Sequence, residues 1–278
     1  MDRLTNSLKT GTLMALLMGL CLGVGYLLGG PAYLLPAVVI GSAMNFFVYF
    51  FSDKIALSTM RAQEVSREED PELWGMVERL ADRANLPMPR VYMSPAQAPN
   101  AFATGRNPRH SAVCVTQGLR QMLNREELEG VIAHELSHVK HRDVLISTVA
   151  AIMAGAITWV AYIALWGGGN RRSNPIVALL LLIFAPLAAG MIRMAISRSR
   201  EFDADRFGAE LAGSGRGLAN SLRKLDAANK RIPLHVPDAQ SSLFIVAPLT
   251  GSDLRKLFST HPPTEERVAR LMEMDRRL

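Results

Sequence analysis

The sequence has little cysteine, and the two cysteines that it has are far apart. Cys21 lies in an apolar stretch and Cys114 in a short run typical of a strand, so we expect two reduced, buried thiols. Two cysteines cannot form a disulfide framework, which excludes a small secreted domain held together by disulfides. The 278 residues are 49% hydrophobic and 20% charged, which excludes a disordered chain of low hydrophobicity and high charge.

Charged residues are also missing from three long stretches, which extend from Thr10 to Ser52, from Val144 to Asn170 and from Ser173 to Ile192. About 20 apolar residues in a helix cross the roughly 30 Å hydrocarbon core of a bilayer. The first stretch is long enough for two crossings, and Gly29-Gly30-Pro31 interrupts its middle. We therefore predict four transmembrane helices, at about residues 11–29, 32–51, 145–166 and 175–196.

Two alternatives for these apolar stretches are buried core helices and, for the first stretch, a cleaved signal peptide. A signal peptide has a shorter apolar segment and a small-residue cleavage site, whereas a second apolar segment follows here at once. That arrangement favours a retained helical hairpin. For the third and fourth spans, complete crossing and partial entry into the bilayer are both compatible with the sequence.

Lysine and arginine flank the predicted spans unevenly, and this asymmetry predicts the orientation. On one side the residues near the span ends are Arg3, Lys9, Lys54, Arg61, Lys140, Arg142, Arg193, Arg198 and Arg200. The opposite side has only Arg171 and Arg172. Because positive residues accumulate on the cytoplasmic side, we expect a multi-pass protein of the inner or plasma membrane whose polar parts face the cytoplasm.

The polar segments predict an α+β fold that is predominantly helical. Residues 53–143 indicate a helix, a small sheet and a second helix: Arg90–Met93 form a short strand, and residues 100–105 and 112–116 form a strand pair around a polar turn. Asn124 begins the second helix with a capping box. Residues 197–278 continue the fourth span as a helix, and a short helix begins near Thr264.

The strongest motif is His134-Glu135-Leu136-Ser137-His138, an H-E-x-x-H sequence on the predicted second helix. Its i, i+4 spacing places both imidazoles on one helical face, where they can bind one ion. Zinc accepts neutral imidazole, and a catalytic zinc site keeps one position for water. Glu135 can then act on that water as a general base, so we expect one Zn²⁺ per chain.

A third protein ligand is needed, and Glu201 is the best candidate because it lies on a predicted helix with Asp205 one turn later. Asp205 could then accept a hydrogen bond from a ligand imidazole and fix its orientation. The alternative is an ordinary solvated helix face. Two spans separate His138 from Glu201, and two crossings return the chain to the same side. This topology places the ion near the membrane surface and outside the hydrocarbon core.

The order of these features resembles the HtpX family of membrane zinc metalloproteases, relatives of the CAAX prenyl endopeptidases. The resemblance covers an N-terminal membrane hairpin, the H-E-L-x-H helix followed by Arg142-Asp143, a second hairpin and Ser-Arg-Glu-Phe-Asp-Ala-Asp. It also covers Thr260-His261-Pro262-Pro263 with Glu266-Arg267. The resemblance implies a gluzincin-type zincin domain on the cytoplasmic side that degrades misfolded or damaged membrane proteins in quality control and the stress response.

The resemblance also implies site residues and an organisation for the chain. His134, His138 and Glu201 would be the zinc ligands and Glu135 the catalytic base. The implied segments are 1–52 and 144–196 as transmembrane hairpins, and 53–143 and 197–278 as the two parts of the catalytic domain. The expected partners are the membrane, membrane-protein substrates and other quality-control proteases, with no nucleic acid.

Several weaker predictions and rival functions accompany this interpretation. Asn100 could hold the substrate backbone or serve as a turn residue, and His261 could stabilise the oxyanion or cap a helix. Arg267 could form a salt bridge beside the site. The rivals are a site-2-type intramembrane zinc protease, a noncatalytic metal-binding membrane protein and a prenyl-protein endopeptidase. Charged neighbours of the motif, such as Glu126 and Lys140, disfavour a motif buried in the membrane.

Overall fold

The computed structural model describes residues 3–146, 149, 198–231 and 262–276. The predicted fourth span, the predicted third span beyond its first residues, and His261 lie outside the described residues. Cys114 is buried as expected, whereas Cys21 is partly exposed, and both are unpaired thiols.

Two long helices form the N-terminal hairpin, α1 (Arg3–Gly29) and α2 (Leu34–Thr59), with a 3-10 turn at Gly30–Tyr33 between them. The break lies at the Gly-Gly-Pro sequence, as predicted, because Gly30 adopts a positive φ of 63° that favours glycine. Asn45 Nδ2 donates a hydrogen bond to the Met14 carbonyl oxygen at 3.1 Å and links the two helices.

The outer surface of this hairpin is apolar. In the described part of the chain, the large hydrophobic side chains that are exposed all lie between Leu8 and Phe50. The segment Gly30–Thr59 is long and apolar enough to cross a bilayer, and Leu8–Gly23 is a shorter apolar helix. The first residues of the third apolar stretch pack on the same hairpin: Leu145, Ile146 and Val149 form a cluster with Leu13, Leu17 and Val48.

The remaining elements form one α+β domain. They are β1 (Gln63–Glu64), α3 (Pro71–Arg83), β2 (Arg90–Ser94), β3 (Ala101–Asn107), β4 (His110–Thr116), α4 (Gln117–Met122), α5 (Arg125–His141), α6 (Arg198–Ala212), α7 (Arg216–Arg231) and α8 (Thr264–Asp275). The strand order is β1-β2-β4-β3, with β2 and β4 parallel and the other pairs antiparallel. The predicted hairpin of β3 and β4 is confirmed, and β3 forms one edge of the sheet, with β1 at the other.

Helix α5 begins with the predicted capping box. Asn124 Oδ1 accepts from the Glu127 N–H, and Glu127 Oε2 accepts from the Asn124 N–H, both at 2.9 Å. Such a cap stabilises a helix by about 1 kcal/mol. The helix ends at Arg142, which adopts a left-handed conformation with φ of 59°. Residues Leu128, Val131, Ile132 and Leu136 enter the main core, as the periodicity predicts.

Glycines let two helices approach α5 closely. A Cβ atom on Gly208 of α6 would lie 2.9 Å from the backbone nitrogen of His134, and one on Gly130 of α5 would lie 2.5 Å from the backbone nitrogen of Leu218 in α7. Real Cβ atoms essentially never lie so close to backbone. The Gly208 contact sets the spacing between α5 and α6, and therefore the position of His134 relative to Glu201.

Candidate metal centre

The two motif histidines lie on one face of α5, as the i, i+4 spacing predicts. The Nε2 atoms of His134 and His138 are 3.2 Å apart, and the rings meet edge to face with centroids 4.9 Å apart. His134 is buried and His138 is partly buried. The imidazoles therefore present two nitrogen atoms to a common point.

Glu201, in the first turn of α6, brings a carboxylate to the same point. Its Oε2 lies 3.7 Å from His134 Nε2, and its Oε1 lies 3.9 Å from His138 Nε2. One ligand atom from each of these three residues lies within 4.8 Å of the other two. The structure thus brings together three residues that are separated by two apolar stretches of the sequence.

Asp205 lies one turn after Glu201 and supports the first histidine. Its Oδ1 is 3.0 Å from His134 Nδ1, and both its oxygens accept hydrogen bonds from Arg267 of α8, at 2.8 Å and 2.6 Å. Burial alone would raise the pKa of Asp205, but the Arg267 guanidinium and His134 lower it to about 2. The carboxylate is therefore ionised and can hold the imidazole with its Nε2 towards the centre.

Asp143 supports the second histidine, His138, in the same way. Its Oδ2 lies 3.1 Å from His138 Nδ1 and 3.9 Å from Nη1 of the buried Arg200. Burial opposes ionisation of Asp143, yet His138 and Arg200 bring its pKa below the ordinary value. Each histidine thus has a carboxylate behind it, which leaves each Nε2 atom directed at the centre.

Glu135 lies between the two histidines and contacts the edge strand. Its Oε2 accepts a hydrogen bond from the Ala103 N–H of β3 at 2.8 Å. Burial raises the pKa of the Glu135 carboxyl, against the opposing influence of the two imidazoles and of the Ala103 amide. A raised pKa suits a carboxylate that must both accept and return a proton near neutral pH.

The charge balance of this region fits a divalent cation. Four carboxylates are buried here, those of Glu135, Asp143, Glu201 and Asp205. Among the described residues, only two guanidinium groups are buried beside them, those of Arg200 and Arg267. Buried charges are costly unless they are compensated, and one doubly charged ion would supply the missing compensation. Two imidazoles with one carboxylate form a donor set that suits zinc.

The weaker site predictions have mixed outcomes. Asn100 is buried at the start of β3, where its N–H donates to Thr116 Oγ1 at 2.8 Å and its carbonyl accepts from the Thr116 N–H at 2.9 Å. His261 lies outside the described residues. Arg267 forms the salt bridge predicted for it, with Asp205.

Sequence reasoning did not assign a role to Asp143, Arg200 or Gly208. For Asp143 a signal was present, since it follows His138 by five residues at the end of the same helix. Arg200 precedes Glu201 directly, but its burial depends on tertiary packing. The close approach at Gly208 also depends on which helix packs against α5, and no local pattern in the sequence indicates that.

Comparisons with known proteins show the family of the chain. Residues 67–275 match the model of peptidase family M48. A "Protease HtpX homolog" of Pelotomaculum thermopropionicum is 52% identical over 278 residues, which is 97% of this chain and 99% of the relative. A "Protease HtpX homolog" of Desulfatibacillum aliphaticivorans is 51% identical, over 96% of this chain and 89% of the relative.

A solved structure shares the fold. The crystal structure of S. mikatae Ste24p superimposes with a TM-score of 0.53 at 17% sequence identity. The match covers 94% of this chain, and this chain spans 62% of that one.

Proposed function

The chain belongs to peptidase family M48, and from that premise we propose that His134, His138 and Glu201 hold one zinc ion while Glu135 is the catalytic base. As a member of this family, with close relatives named proteases, the chain is a membrane-associated metalloendopeptidase. The observation that supports the assignment best is the convergence of three ligand atoms beside a buried glutamate.

Three protein ligands leave an open position at a tetrahedral metal, as catalytic zinc sites require. When bound, the ion would act as a Lewis acid for the peptide carbonyl and would lower the pKa of a water molecule. Asp205 and Asp143 would hold the two imidazoles in the tautomer that binds metal. Structural zinc sites have four protein ligands, whereas the cluster found among the described residues offers three, which favours a catalytic site over the noncatalytic alternative.

Glu135 would remove a proton from the attacking water and deliver it to the leaving amine. Its Oε2 accepts a hydrogen bond from the Ala103 N–H, and this contact orients the carboxylate. Because Ala103 belongs to the edge strand, this same bond ties the base to the element where the substrate would lie. A change in the strand position would therefore move the base as well.

We further propose that an extended substrate pairs through backbone hydrogen bonds with the edge of β3 that faces away from β4. Such pairing tolerates many side chains, which suits degradation of misfolded or damaged membrane proteins. Asn100, at the beginning of this strand, would assist in holding the substrate, and His261 would stabilise the oxyanion. The gluzincin-type domain would face the cytoplasm and be anchored by four transmembrane helices.

A site-2-type intramembrane arrangement has less support. Helix α5 packs between the sheet and the helices α6 and α7, and its apolar face enters the main hydrophobic core with Leu128 and Leu136. That environment differs from a helix surrounded by lipid. This packing supports a motif that lies outside the hydrocarbon core of the membrane.

The Glu135→Gln variant tests the assignment. We expect the cleavage of an unfolded protein substrate in detergent to fall by about 10²–10⁴-fold, because a general base contributes that factor. The variant should keep one metal ion per chain, since the metal ligands are unchanged. Glu126→Gln is the matched control on the same helix, where the side chain is exposed and activity should stay at the wild-type rate. Wild-type turnover by Glu135→Gln would refute the role.

A further inference from the structure

Strand β3 runs alongside helix α2, and the contacts between them give the direction of the strand relative to the membrane hairpin. Near the end of the strand, the guanidinium carbon of Arg106 lies 5.3 Å from the ring centroid of Phe50. Nearer its beginning, Phe102 packs in one hydrophobic cluster with Ala56 and Leu57, which lie about two turns further along α2 than Phe50. The strand therefore points towards the apolar part of the hairpin, and its first residues lie farther away.

The end of β3 also lies beside the start of the third apolar stretch. Val144 and Leu145 are the first residues of that stretch, and both line one small pocket together with Arg106. Phe50, which contacts the same arginine, belongs to the last turn of the first uncharged stretch. Two uncharged stretches thus meet the polar domain at the same end of the strand. In the proposed membrane placement, this end marks the boundary of the hydrocarbon core.

Glu135, the proposed catalytic base, lies a short distance from this boundary. Seven residues separate Phe50 from Leu57, which is about 10 Å along a helix axis. Phe102 packs in the cluster of Leu57, and the next residue, Ala103, donates its N–H to Glu135 Oε2 at 2.8 Å. The Glu135 carboxylate therefore lies about 10 Å from the boundary.

Helix α5 gives a second measure of the same height. The two motif histidines are centred on Leu136, and Val144 follows it by eight residues, which is about 12 Å along a helix axis. Because the helix ends at Arg142 in the left-handed conformation, the chain bends before Val144 and this value is an upper limit. The measures along α2 and α5 agree, and they come from different elements.

This height limits which peptide bonds of a membrane-anchored substrate can reach the site. The headgroup layer is roughly 5–8 Å thick on each side of the hydrocarbon core, so the site lies just beyond it. An extended chain advances about 3.3 Å per residue, and about three residues therefore span the distance. A bond closer to the span can reach Glu135 only when apolar residues leave the hydrocarbon.

We propose that the site takes extended segments that adjoin a transmembrane span and cleaves them only at bonds at least about three residues beyond that span. The inference rests on the proposed function and on the proposed membrane placement of α2, and it names a substrate class for the same site. The contacts of Arg106 with Phe50 and of Phe102 with Leu57 hold the edge strand at this height.

The test uses the full chain with zinc, placed in lipid nanodiscs together with a single-span substrate. The substrate is a leucine-rich span followed by an unfolded polar segment, and a series of variants lengthens the junction one residue at a time. Mass spectrometry of the products locates every cut. The same segment without a span is the matched control, and the Glu135→Gln enzyme shows which cuts belong to this site.

We expect the free segment to be cut along its whole length, and the anchored segment to be cut only beyond its first three residues or so. Each leucine that must leave the bilayer should slow cleavage about tenfold or more, because exposing its side chain to water is unfavourable by at least that factor. Each inserted residue should move the first cut by one residue, so that its distance from the span stays constant. A soluble metalloprotease should first cut farther from the span, because no anchor holds its cleft at the bilayer surface.

The outcomes separate this inference from the proposed function. Cleavage of the free segment, with a first cut in the anchored series that stays at one segment residue whatever the insert, would overturn the inference and leave the proposed function in place. Cuts beside the span at the rate of the free segment, or the same threshold for the soluble metalloprotease, would also overturn it. A free segment that remains intact would contradict the proposed function, and the inference would fall with it.

Discussion

Replacing Arg267 by Met removes the guanidinium that holds Asp205 by two hydrogen bonds of 2.8 Å and 2.6 Å. Arg267 is 1% exposed and Asp205 is 3% exposed, so the variant leaves a buried carboxylate without its main counter-charge. Removal of one partner from a buried ion pair costs about 3–5 kcal/mol. For a chain of this size, that cost lowers the apparent unfolding temperature by roughly 10 °C.

The assay is scanning fluorimetry of the metal-free protein in detergent, at one fixed heating rate because unfolding of such proteins is often irreversible. Arg270→Met is the matched control, one turn later on α8, where the pair with Glu266 at 2.8 Å is exposed and contributes no more than about 1 kcal/mol. Adding Asp205→Asn to Arg267→Met should recover part of the lost stability, since the uncompensated charge is then gone. Equal unfolding temperatures for Arg267→Met and Arg270→Met would refute the reasoning.

Two further predictions concern residues that support the metal without binding it. Asp143→Asn should weaken metal affinity by about 10–100-fold, measured by competition with a chelator, because it removes the carboxylate behind His138; unchanged affinity would contradict this contact. Gly208→Ala should reduce both metal content and cleavage, because its Cβ would lie 2.9 Å from the His134 backbone and force α6 away from α5. Full metal content in the Gly208→Ala variant would show that metal binding does not depend on the spacing between α5 and α6.

The sequence predicted the elements with strong local signals. The capping box at Asn124, the helical face of α5 and the break at Gly30 each depend on neighbouring residues, and the structure has all three. The strand pair of β3 and β4 was also predictable, because alternating segments flank a polar turn. Strand β1 was missed, since its two residues carry no pattern.

The sequence predicted that His134, His138, Glu201 and Asp205 lie together, and the structure places them together; the sequence did not indicate the contacts made by Asp143 and Arg200. His134 and His138 share a helix, and Glu201 was predicted from its position on a helix one turn before Asp205, together with the resemblance to the HtpX family. The parallel pairing of β2 with β4 joins strands that are separated by β3, so no local pattern reveals it. The approach of α8, which delivers Arg267 to Asp205, likewise arises from tertiary packing of Val268 and Leu271 in the core.

The most direct test of the central claim is the number of zinc ions bound per chain in detergent, measured for the wild type and for Glu201→Ala by elemental analysis after exhaustive dialysis. The account predicts one ion per wild-type chain and almost none for Glu201→Ala, with cleavage lost in parallel. One ion retained at wild-type affinity by Glu201→Ala would show that these three residues do not form the metal site.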